Sequence, residues 1–274
     1  MINPNHIQSH NAVVYYINDH NKINGSFYYA FEYFYLLQQH SLCTLYIVAK
    51  RKLKEDEILS LNAIKDKYDI EEIDIQFCTT VQMYTYNVRK ALFVDVSSYK
   101  RLRGFVRGEH FVYSNETHDN YRSPNGTTYF GYYDYQKFDI KSTLKLNFSI
   151  FKQIENCKTE TTFLSYVNKG KSDSCEIAVI AEKYNLKNIL MKSDIKIIKN
   201  LFNIIDQIVY VHIGLDTNNR IIVEAAWYNI PIIIEERTTI EDSTTLRQKD
   251  IKDGQLQKYT LDKNDLMVQT ILKD

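Results

Sequence analysis

The chain has 274 residues, which is enough for two domains of about 100–150 residues each. Its 34 lysines and arginines balance its 34 aspartates and glutamates, so no overall electric field attracts nucleic acid or an acidic membrane. Hydrophobic residues make up 44% of the chain, a share typical of a folded globular protein and too high for a disordered one. Binding of nucleic acid would therefore need a local patch of positive charge.

The N-terminus and the cysteines indicate where the protein works. The first residues, MINPNHIQSHN, are polar and unlike a signal peptide, and no apolar run approaches the length of a membrane helix. Cys43, Cys78, Cys157 and Cys175 lack CxxC spacing, which disfavours zinc and favours buried free thiols in a reducing compartment. The many tyrosine, isoleucine, asparagine and lysine residues are what AT-rich coding DNA produces. We expect a cytoplasmic protein without a metal site, in the host cytoplasm if a phage encodes it.

In the first half of the chain, short apolar runs alternate with helical patterns. They predict strands at Val13–Ile17, Cys43–Ala49, Ile73–Cys78 and Ala91–Val96, and helices at Ser26–His40 and Ile58–Tyr68. Residues 114–137 concentrate Asn, Ser, Pro, Gly and Tyr, so we predict loops and short turns there. Residues 138–160 would bridge to a second domain.

The alternation resumes in the second half. It predicts strands at Thr162–Val167, Asn188–Met191, Ile208–Ile213 and Ile232–Ile234, and helices near Ser174–Tyr184, at Ile195–Ile205 and between the last two strands. Strands that alternate with helices are typical of parallel, doubly wound sheets. The prediction is an α/β fold with two Rossmann-like domains, residues 1–150 and residues 151–274.

The most informative segment is the last strand, loop, helix and strand, which form one βαβ unit. Ligands bind where such a loop leaves the carboxyl end of its strand. The loop contains Gly214, Asp216, Asn218 and Asn219, and it leads into a helix start, where free N–H groups and the helix dipole favour an anion. Arg220 and Glu224 follow on the helix, four residues apart and therefore on one face. An arginine for phosphate and a carboxylate for ribose hydroxyls predict a nucleotide-diphosphate site.

A second basic turn, Lys169-Gly170-Lys171, follows the strand Thr162–Val167. Gly170 permits a tight turn, and two lysines at a helix start would neutralise a diphosphate. The same pattern is common in surface turns, so the turn alone says little. The two loops meet on one anion only if the sheet order makes their strands neighbours.

The segment from Asp216 to Ala226, with Ile230-Pro231 after it, resembles the C-terminal nucleotide-sugar motif of GT-B glycosyltransferases. In that family an acidic residue precedes a glutamate by eight positions, as Asp216 precedes Glu224. The chain departs from the pattern at Asp216, where retaining enzymes usually carry glutamate, and at Asn229, which replaces a glycine. These departures leave the retaining or inverting outcome open. The close match covers about 30 residues, while the order of strands and helices agrees loosely over most of the chain.

The resemblance implies two Rossmann-like domains that face a cleft, with the acceptor in the N-terminal domain and the donor in the C-terminal one. It implies that Glu224 binds ribose hydroxyls, and that Arg220, Lys169, Lys171 and the loop amides bind the diphosphate of a donor such as a UDP-sugar. It also implies independence of metal, and no Asp-x-Asp metal motif is evident on a loop. Gly25, in the loop after the first strand, would face the cleft from the N-terminal side.

A transfer that inverts the anomeric centre needs a base near the acceptor hydroxyl, and a carboxylate or neutral histidine serves. The candidates are Asp19 and His20, in the loop after the first strand, and Asp95, at the end of the strand Ala91–Val96. Each has an ordinary alternative role: Asp19 in a turn, His20 in solvent and Asp95 as the cap of the next helix. The resemblance ranks these three ahead of His110, Glu116 and His118.

The densest basic run of the chain extends from Lys100 to His110, with aromatic residues between its charges. Arg101, Arg103, Arg107 and His110 are the candidate acceptor-binding residues. Positive charge with aromatics can grip phosphates and stack bases, although such a run is more often a solvated helix face. The acceptor is therefore either a hydroxymethylated base in phage DNA, which must be flipped out of the duplex, or a surface glycan. The tyrosine-rich residues 121–135 would contact either one.

A different class of function stays open beside the glycosyltransferase. The chain could be a non-catalytic module that binds a nucleotide or sugar phosphate, or another enzyme with two Rossmann-like domains, such as a sugar-nucleotide epimerase. A dinucleotide enzyme is disfavoured because Gly25 alone, and no GxGxxG, follows the first strand. The sequence does not indicate the oligomeric state.

Overall fold

The computed structural model describes residues 8–17, 25–55, 57–58, 67–70, 75–114, 126–131, 138–154, 159–167, 174–191, 201–212, 220–236, 249–251 and 253–273. The chain divides into two compact units. The first contains the chain up to Ile150 and again from Tyr259 onward, and the second contains Phe151–Lys258. Each unit is built on a parallel sheet, which confirms the expected α/β class with Rossmann-like sheets.

The first unit has a seven-stranded parallel sheet in the order β3-β2-β1-β4-β5-β6-β7. Its strands are β1 (His10–Ile17), β2 (Cys43–Ala49), β3 (Ile75–Thr79), β4 (Val88–Phe93), β5 (Glu109–Ser114), β6 (Thr127–Gly131) and β7 (Ile140–Lys141). The helices between them are α1 (Gly25–Gln38), α2 (Thr80–Met83) and α3 (Val96–Leu102). The central strands are almost continuously apolar and buried, because a parallel sheet is covered on both faces.

Two predictions for the first unit are wrong. The predicted strand Ala91–Val96 lies three residues earlier, at Val88–Phe93, because the polar Asp95 starts a helix instead of ending a strand. Residues 114–137 were predicted as loops, yet Thr127–Gly131 form the buried strand β6. Its threonines and aromatics suit a strand, and pairing with β5 satisfies the backbone of a segment whose composition is typical of turns.

The second unit has a four-stranded parallel sheet in the order β11-β10-β8-β9. Its strands are β8 (Thr161–Val167), β9 (Asn188–Met191), β10 (Gln207–His212) and β11 (Ile232–Glu236), and its helices are α4 (Ser174–Lys183) and α5 (Arg220–Trp227). Ile222 and Ala225 of α5 pack with Phe163 and Tyr210, while Ile180 of α4 packs with Leu164 and Val209. The two helices therefore cover opposite faces of the sheet, as in a doubly wound domain.

The C-terminal segment completes the first unit with helix α6 (Leu266–Leu272). Asp265 caps this helix by accepting hydrogen bonds from the N–H groups of Met267 and Val268, at 3.0 and 3.3 Å. Its carboxylate also lies 3.2 Å from the ammonium group of Lys145. At the other end of the helix, the buried ammonium group of Lys90 donates to the carbonyls of Ile271 and Lys273. Lys90 at one end of α6 and the Asp265–Lys145 pair at the other therefore connect this helix to the earlier part of the chain.

Candidate functional site

The two segments that the sequence assigns to an anion follow neighbouring strands. In the second sheet β8 and β10 are paired in parallel, with Tyr166 opposite Val211 and Val167 opposite His212. The chain therefore leaves both strands at the same carboxyl edge. Residues 168–173 and 213–219 come next and lie outside the described residues. The sheet order thus meets the condition on which the sequence argument for one shared anion depended.

This position is where a doubly wound sheet opens for a ligand. The chain forms β9 on one side of β8 and then β10 and β11 on the other, so the direction of winding reverses between β8 and β10. In open α/β sheets ligands bind outside the carboxyl ends of the strands at this reversal. The predicted donor residues outside the described part of the chain follow β8 or β10: Lys169, Lys171, Gly214, Asp216, Asn218 and Asn219.

Helix α5 begins at Arg220, immediately after the second of these segments. The guanidinium group of Arg220 donates from Nε to the carboxylate of Glu224, as the four-residue spacing predicts. Both residues are buried, with 8% and 4% of their surface exposed. The Arg220 guanidinium also lies 5.8 Å from the ring centre of Phe151. Neighbouring side chains therefore hold the pair in one orientation at the first turn of the helix.

Burial of this ion pair has a physical consequence. Removing two charges from water costs several kcal/mol per ion, and their attraction often only offsets that cost. A buried pair is therefore weak evidence for a stabilising role, since apolar residues of similar volume serve stability as well. The same geometry suits a ligand, because a desolvated guanidinium and carboxylate interact more strongly with a phosphate or a hydroxyl than solvated ones do.

Helix α5 ends in a left-handed turn at Asn229. Asn229 has a left-handed backbone with φ of 56°, and the N–H of Ile230 donates to the carbonyl of Ala225 at 2.9 Å. Glycine is the usual residue in this conformation after a helix, and asparagine is the common substitute. Asn229 therefore forms the left-handed turn that glycine usually forms after a helix, and Pro231 follows it into β11.

The first sheet has its own reversal, between β1 and β4. Asp19 and His20 follow β1 and lie outside the described residues. Asp95 follows β4, and Gly25 is the exposed first residue of α1. The three candidates for the base therefore follow the two strands that flank this reversal, where an α/β sheet binds its ligand.

Asp95 is the N-cap of helix α3. One carboxylate oxygen accepts the backbone N–H of Ser98 at 2.7 Å and the other accepts the Ser98 hydroxyl at 2.8 Å. The Ser98 oxygen in turn accepts the backbone N–H of Tyr16 in β1 at 2.9 Å. Asp95 therefore connects the start of α3 to the end of β1. The sequence predicted this capping role as the alternative to catalysis. Asp95 stays a candidate for the base, and it also has a structural function.

The four candidate acceptor-binding residues do not converge on one point. Arg101 is exposed and its guanidinium lies 5.1 Å from the ring centre of Tyr16, near the carboxyl end of β1. Arg103 and Arg107 are exposed beyond the last residue of α3. His110 lies at the start of β5, which is the opposite edge of the parallel sheet. Arg107 precedes β5 directly and therefore lies at the same edge as His110, whereas the Arg101 side chain reaches a ring near the carboxyl end of β1.

His110 is half-buried among aromatic rings. The rings of Phe93 and Tyr99 lie 5.5 and 5.7 Å from it, and its Nε2 lies 3.0 Å from the carbonyl of Val106. Burial lowers the pKa of His110, although the bond to Val106 opposes the shift. The residue is therefore more readily neutral than a solvated histidine, which suits packing better than an anion contact.

The two cysteines whose side chains the structure describes are free thiols, as expected. Cys43 and Cys78 form no disulfide, and burial raises the pKa of each to about 12. Protonated thiols are poor nucleophiles and poor metal ligands. Within the described ranges no cluster of three or more His, Cys, Asp or Glu residues could hold a metal ion.

The sequence reasoning missed three residues that shape these sites: Tyr16, Ser98 and Phe151. Ser98 had a usable signal, because Asp95 is a favoured N-cap residue and such a residue accepts the N–H of the second or third helical residue, here Ser98. Tyr16 and Phe151 had none, since their contacts join residues distant in sequence.

Comparison with known proteins finds no match: no family model, no curated protein and no solved structure is significantly similar to this chain. In the part of the chain that the structure describes, no helix has the length and apolar character needed to cross a membrane.

Proposed function

We propose that the protein is a nucleotide-sugar-dependent glycosyltransferase of the GT-B type. The observation that carries the proposal is the pairing of β8 with β10 at the reversal of the second sheet. It directs two segments rich in lysine, asparagine and glycine to the edge at which helix α5 presents Arg220 and Glu224. Basic groups at a helix start and a buried carboxylate four residues later suit a diphosphate attached to a ribose.

In this proposal the second unit holds the donor. Lys169, Lys171 and Arg220 neutralise the diphosphate, and Glu224 accepts hydrogen bonds from the ribose hydroxyls. The loop residues Gly214, Asp216, Asn218 and Asn219 contribute backbone N–H groups and side-chain donors. As the bond between the sugar and the phosphate breaks, the diphosphate takes the electron pair, and fixed positive charge stabilises that leaving group. We propose that no metal ion is needed for this step.

The first unit binds the acceptor. Its hydroxyl oxygen forms the new bond to the anomeric carbon of the sugar, and Asp19, His20 or Asp95 takes the proton. The exposed arginines of the basic run, Arg101, Arg103 and Arg107, face the acceptor, which is either a hydroxymethylated base in DNA or a glycan. His110, the fourth candidate, packs against Phe93 and Tyr99 and is assigned no contact with the acceptor. Gly25, the exposed first residue of α1, is the donor contact that the proposal takes from this unit.

Isothermal titration calorimetry tests the donor site. The protein is titrated with UDP, GDP and the corresponding nucleotide sugars, and the proposal expects one of them to bind. Arg220→Ala should weaken that binding by about tenfold or more, because a charge-assisted contact to phosphate contributes about 1.5–3 kcal/mol. Lys187→Gln, on an exposed lysine paired with Glu160, is the charge-matched control. If no nucleotide binds, or if Arg220→Ala binds like the wild type, the proposal is wrong.

Mass spectrometry of nucleosides tests the acceptor. The protein is incubated with nucleotide sugars and duplex DNA that contains hydroxymethylated bases, and the digested nucleosides are weighed. A nucleoside heavier by one sugar identifies DNA as the acceptor. Hydrolysis of the donor beside unchanged nucleosides would exclude DNA and leave the glycan.

A further inference from the structure

In the described part of the chain, one face of the first sheet is covered by two short helices. The four-residue helix α2 and the seven-residue helix α3 lie over it, and their buried residues Met83, Val96 and Leu102 join the strands in one apolar cluster. Tyr16 and Phe105 are only partly buried at the margin of that cluster. Aromatic rings are therefore accessible beside α3, where the basic run lies.

Two ring contacts connect these aromatics with the helices. The ring of Tyr84, directly after α2, meets the ring of Phe105 edge to face at 5.5 Å, and 49% of Tyr84 is exposed. Arg101 of α3 lies over Tyr16 at 5.1 Å and is itself exposed. The contact with Tyr16 positions the Arg101 guanidinium, a planar group that can also stack on a base. Tyr84 and Arg101 are thus two stacking platforms.

Several exposed cations among the described residues are paired with a carboxylate, and the arginines beside the platforms are not. Among the residues that the structure describes, Arg101, Arg103 and Arg107 form no ion pair, whereas the exposed cations of Arg51, Lys183, Lys187 and Lys258 each have a carboxylate partner within 3.0 Å. Three neighbouring arginines without a carboxylate partner in the described ranges give a neutral protein a local positive field. That field suits a polyanion.

The combination of charge and flat groups distinguishes among polyanions. Phosphates of a nucleic acid bind arginine as forked partners, and its unpaired bases stack on aromatic rings and guanidinium planes. An acidic polysaccharide would use the charges and can pack a sugar ring on Tyr84, but it has no aromatic face to stack on the Arg101 guanidinium. Bases within a duplex are already stacked on each other, so the platforms favour a strand with unpaired bases.

We infer that the α2–α3 surface, consisting of Tyr16, Tyr84, Arg101, Arg103, Phe105 and Arg107, binds a single-stranded segment of nucleic acid. Arg103 and Arg107 contact phosphates, and Tyr84 and Arg101 stack bases. The inference also selects nucleic acid over glycan as the acceptor, and that part of it rests on the proposed function. The binding itself does not need the donor.

Fluorescence anisotropy of the full-length protein with a labelled single-stranded oligonucleotide tests the inference. Tyr84→Ala and Arg101→Ala should each weaken binding by about fivefold or more, since a stacked base contributes about that much or more. Arg103→Gln with Arg107→Gln should weaken binding and lower the slope of log K against log salt by about 0.7 for each phosphate that no longer binds an arginine. Lys52→Gln with Lys54→Gln removes two exposed charges elsewhere on the same unit and should leave binding unchanged.

The outcomes separate the inference from its rivals. Equal weakening by the Lys52 and Lys54 control would indicate nonspecific charge and overturn the inference. If heparin binds as tightly as the oligonucleotide, and Tyr84→Ala binds the oligonucleotide like the wild type, the surface binds an acidic polysaccharide and the inference is wrong. Circular dichroism melting of each variant excludes unfolding as the cause. Calorimetry with nucleotides tests the donor site separately. Binding of the oligonucleotide without binding of any nucleotide would support the inference and contradict the proposed function, and nucleotide binding without oligonucleotide binding would do the opposite.

Discussion

At the scale of single residues, the pair Arg220–Glu224 decides between two explanations. The pair is a helical ion pair of ordinary spacing, and it also starts the helix at the edge where a nucleotide would bind. Sequence reasoning predicted the contact from the spacing of the two residues. It could not predict that the pair is buried beside Phe151, because that depends on packing between segments far apart in the chain.

Breaking the pair should destabilise the protein, and replacing it should not. Arg220→Ala leaves the Glu224 carboxylate buried without its partner cation, which costs about 3–5 kcal/mol, whereas Arg220→Met with Glu224→Leu should stay near wild-type stability. Urea unfolding measures both. If the double variant is stable but no longer binds nucleotide, the pair serves the ligand. A double variant that is stable and binds normally would show that the pair is only structural.

Asp95 requires a similar separation of roles. Asparagine caps helices about as well as aspartate, while alanine does not. Asp95→Asn should therefore keep stability close to wild type, and Asp95→Ala should lose about 1 kcal/mol. If Asp95 is the base, Asp95→Asn lowers kcat by about a hundredfold or more at unchanged stability. Wild-type kcat in Asp95→Asn would assign the proton transfer to Asp19 or His20.

At the scale of elements, most strands and helices were predictable from the sequence, but the order of the strands within each sheet was not. The strands at Cys43–Ala49 and Asn188–Met191 have the predicted bounds, because each is a short apolar run between polar segments. Strand β6 was missed because its flanking residues have the composition of turns. The adjacency of β8 and β10, on which the site depends, is a tertiary feature that no local pattern indicates.

The turn between α3 and β5 depends on Gly108. Its φ is +90°, and a Cβ there would lie 2.3 Å from the carbonyl oxygen of Arg89 in β4. Gly108→Ala should destabilise the first unit by more than about 1–3 kcal/mol, since the backbone strain alone costs that much. Gly104→Ala is the matched control, because an added Cβ at Gly104 meets no described atom within 4 Å. Thermal unfolding of both variants checks this, and an equal effect would contradict the role given to the turn.

At the scale of the whole molecule, the chain leaves the first unit at Ile150 and returns to it at Tyr259. The returning segment buries Leu261, Met267, Val268 and Ile271, and the final carbonyls of α6 accept from Lys90. Nothing in the pattern of these residues indicates which unit they join. The return makes the first unit depend on the last residues of the chain.

A chain that stops at Lys258 should therefore lose stability in the first unit. The truncation exposes apolar residues and leaves Lys90, in the centre of the sheet, without its acceptors in α6. Hydrogen exchange measured by mass spectrometry should show faster exchange in β1 and β4, with β8 and β10 little changed. Lys273→Ala, which keeps the backbone carbonyl, is the control and should exchange like the wild type. Unchanged protection of β1 and β4 after truncation would contradict this dependence.

The most direct test of the whole account is the release of nucleoside diphosphate from a nucleotide sugar, followed by chromatography. With a suitable donor and an acceptor that carries a free hydroxyl, the wild type should release the diphosphate faster than it does without acceptor. The stable double variant, Arg220→Met with Glu224→Leu, should release none above background. Absence of release with every nucleotide sugar, or equal release by the double variant, would contradict the assignment of a glycosyltransferase site to the carboxyl edge of β8 and β10.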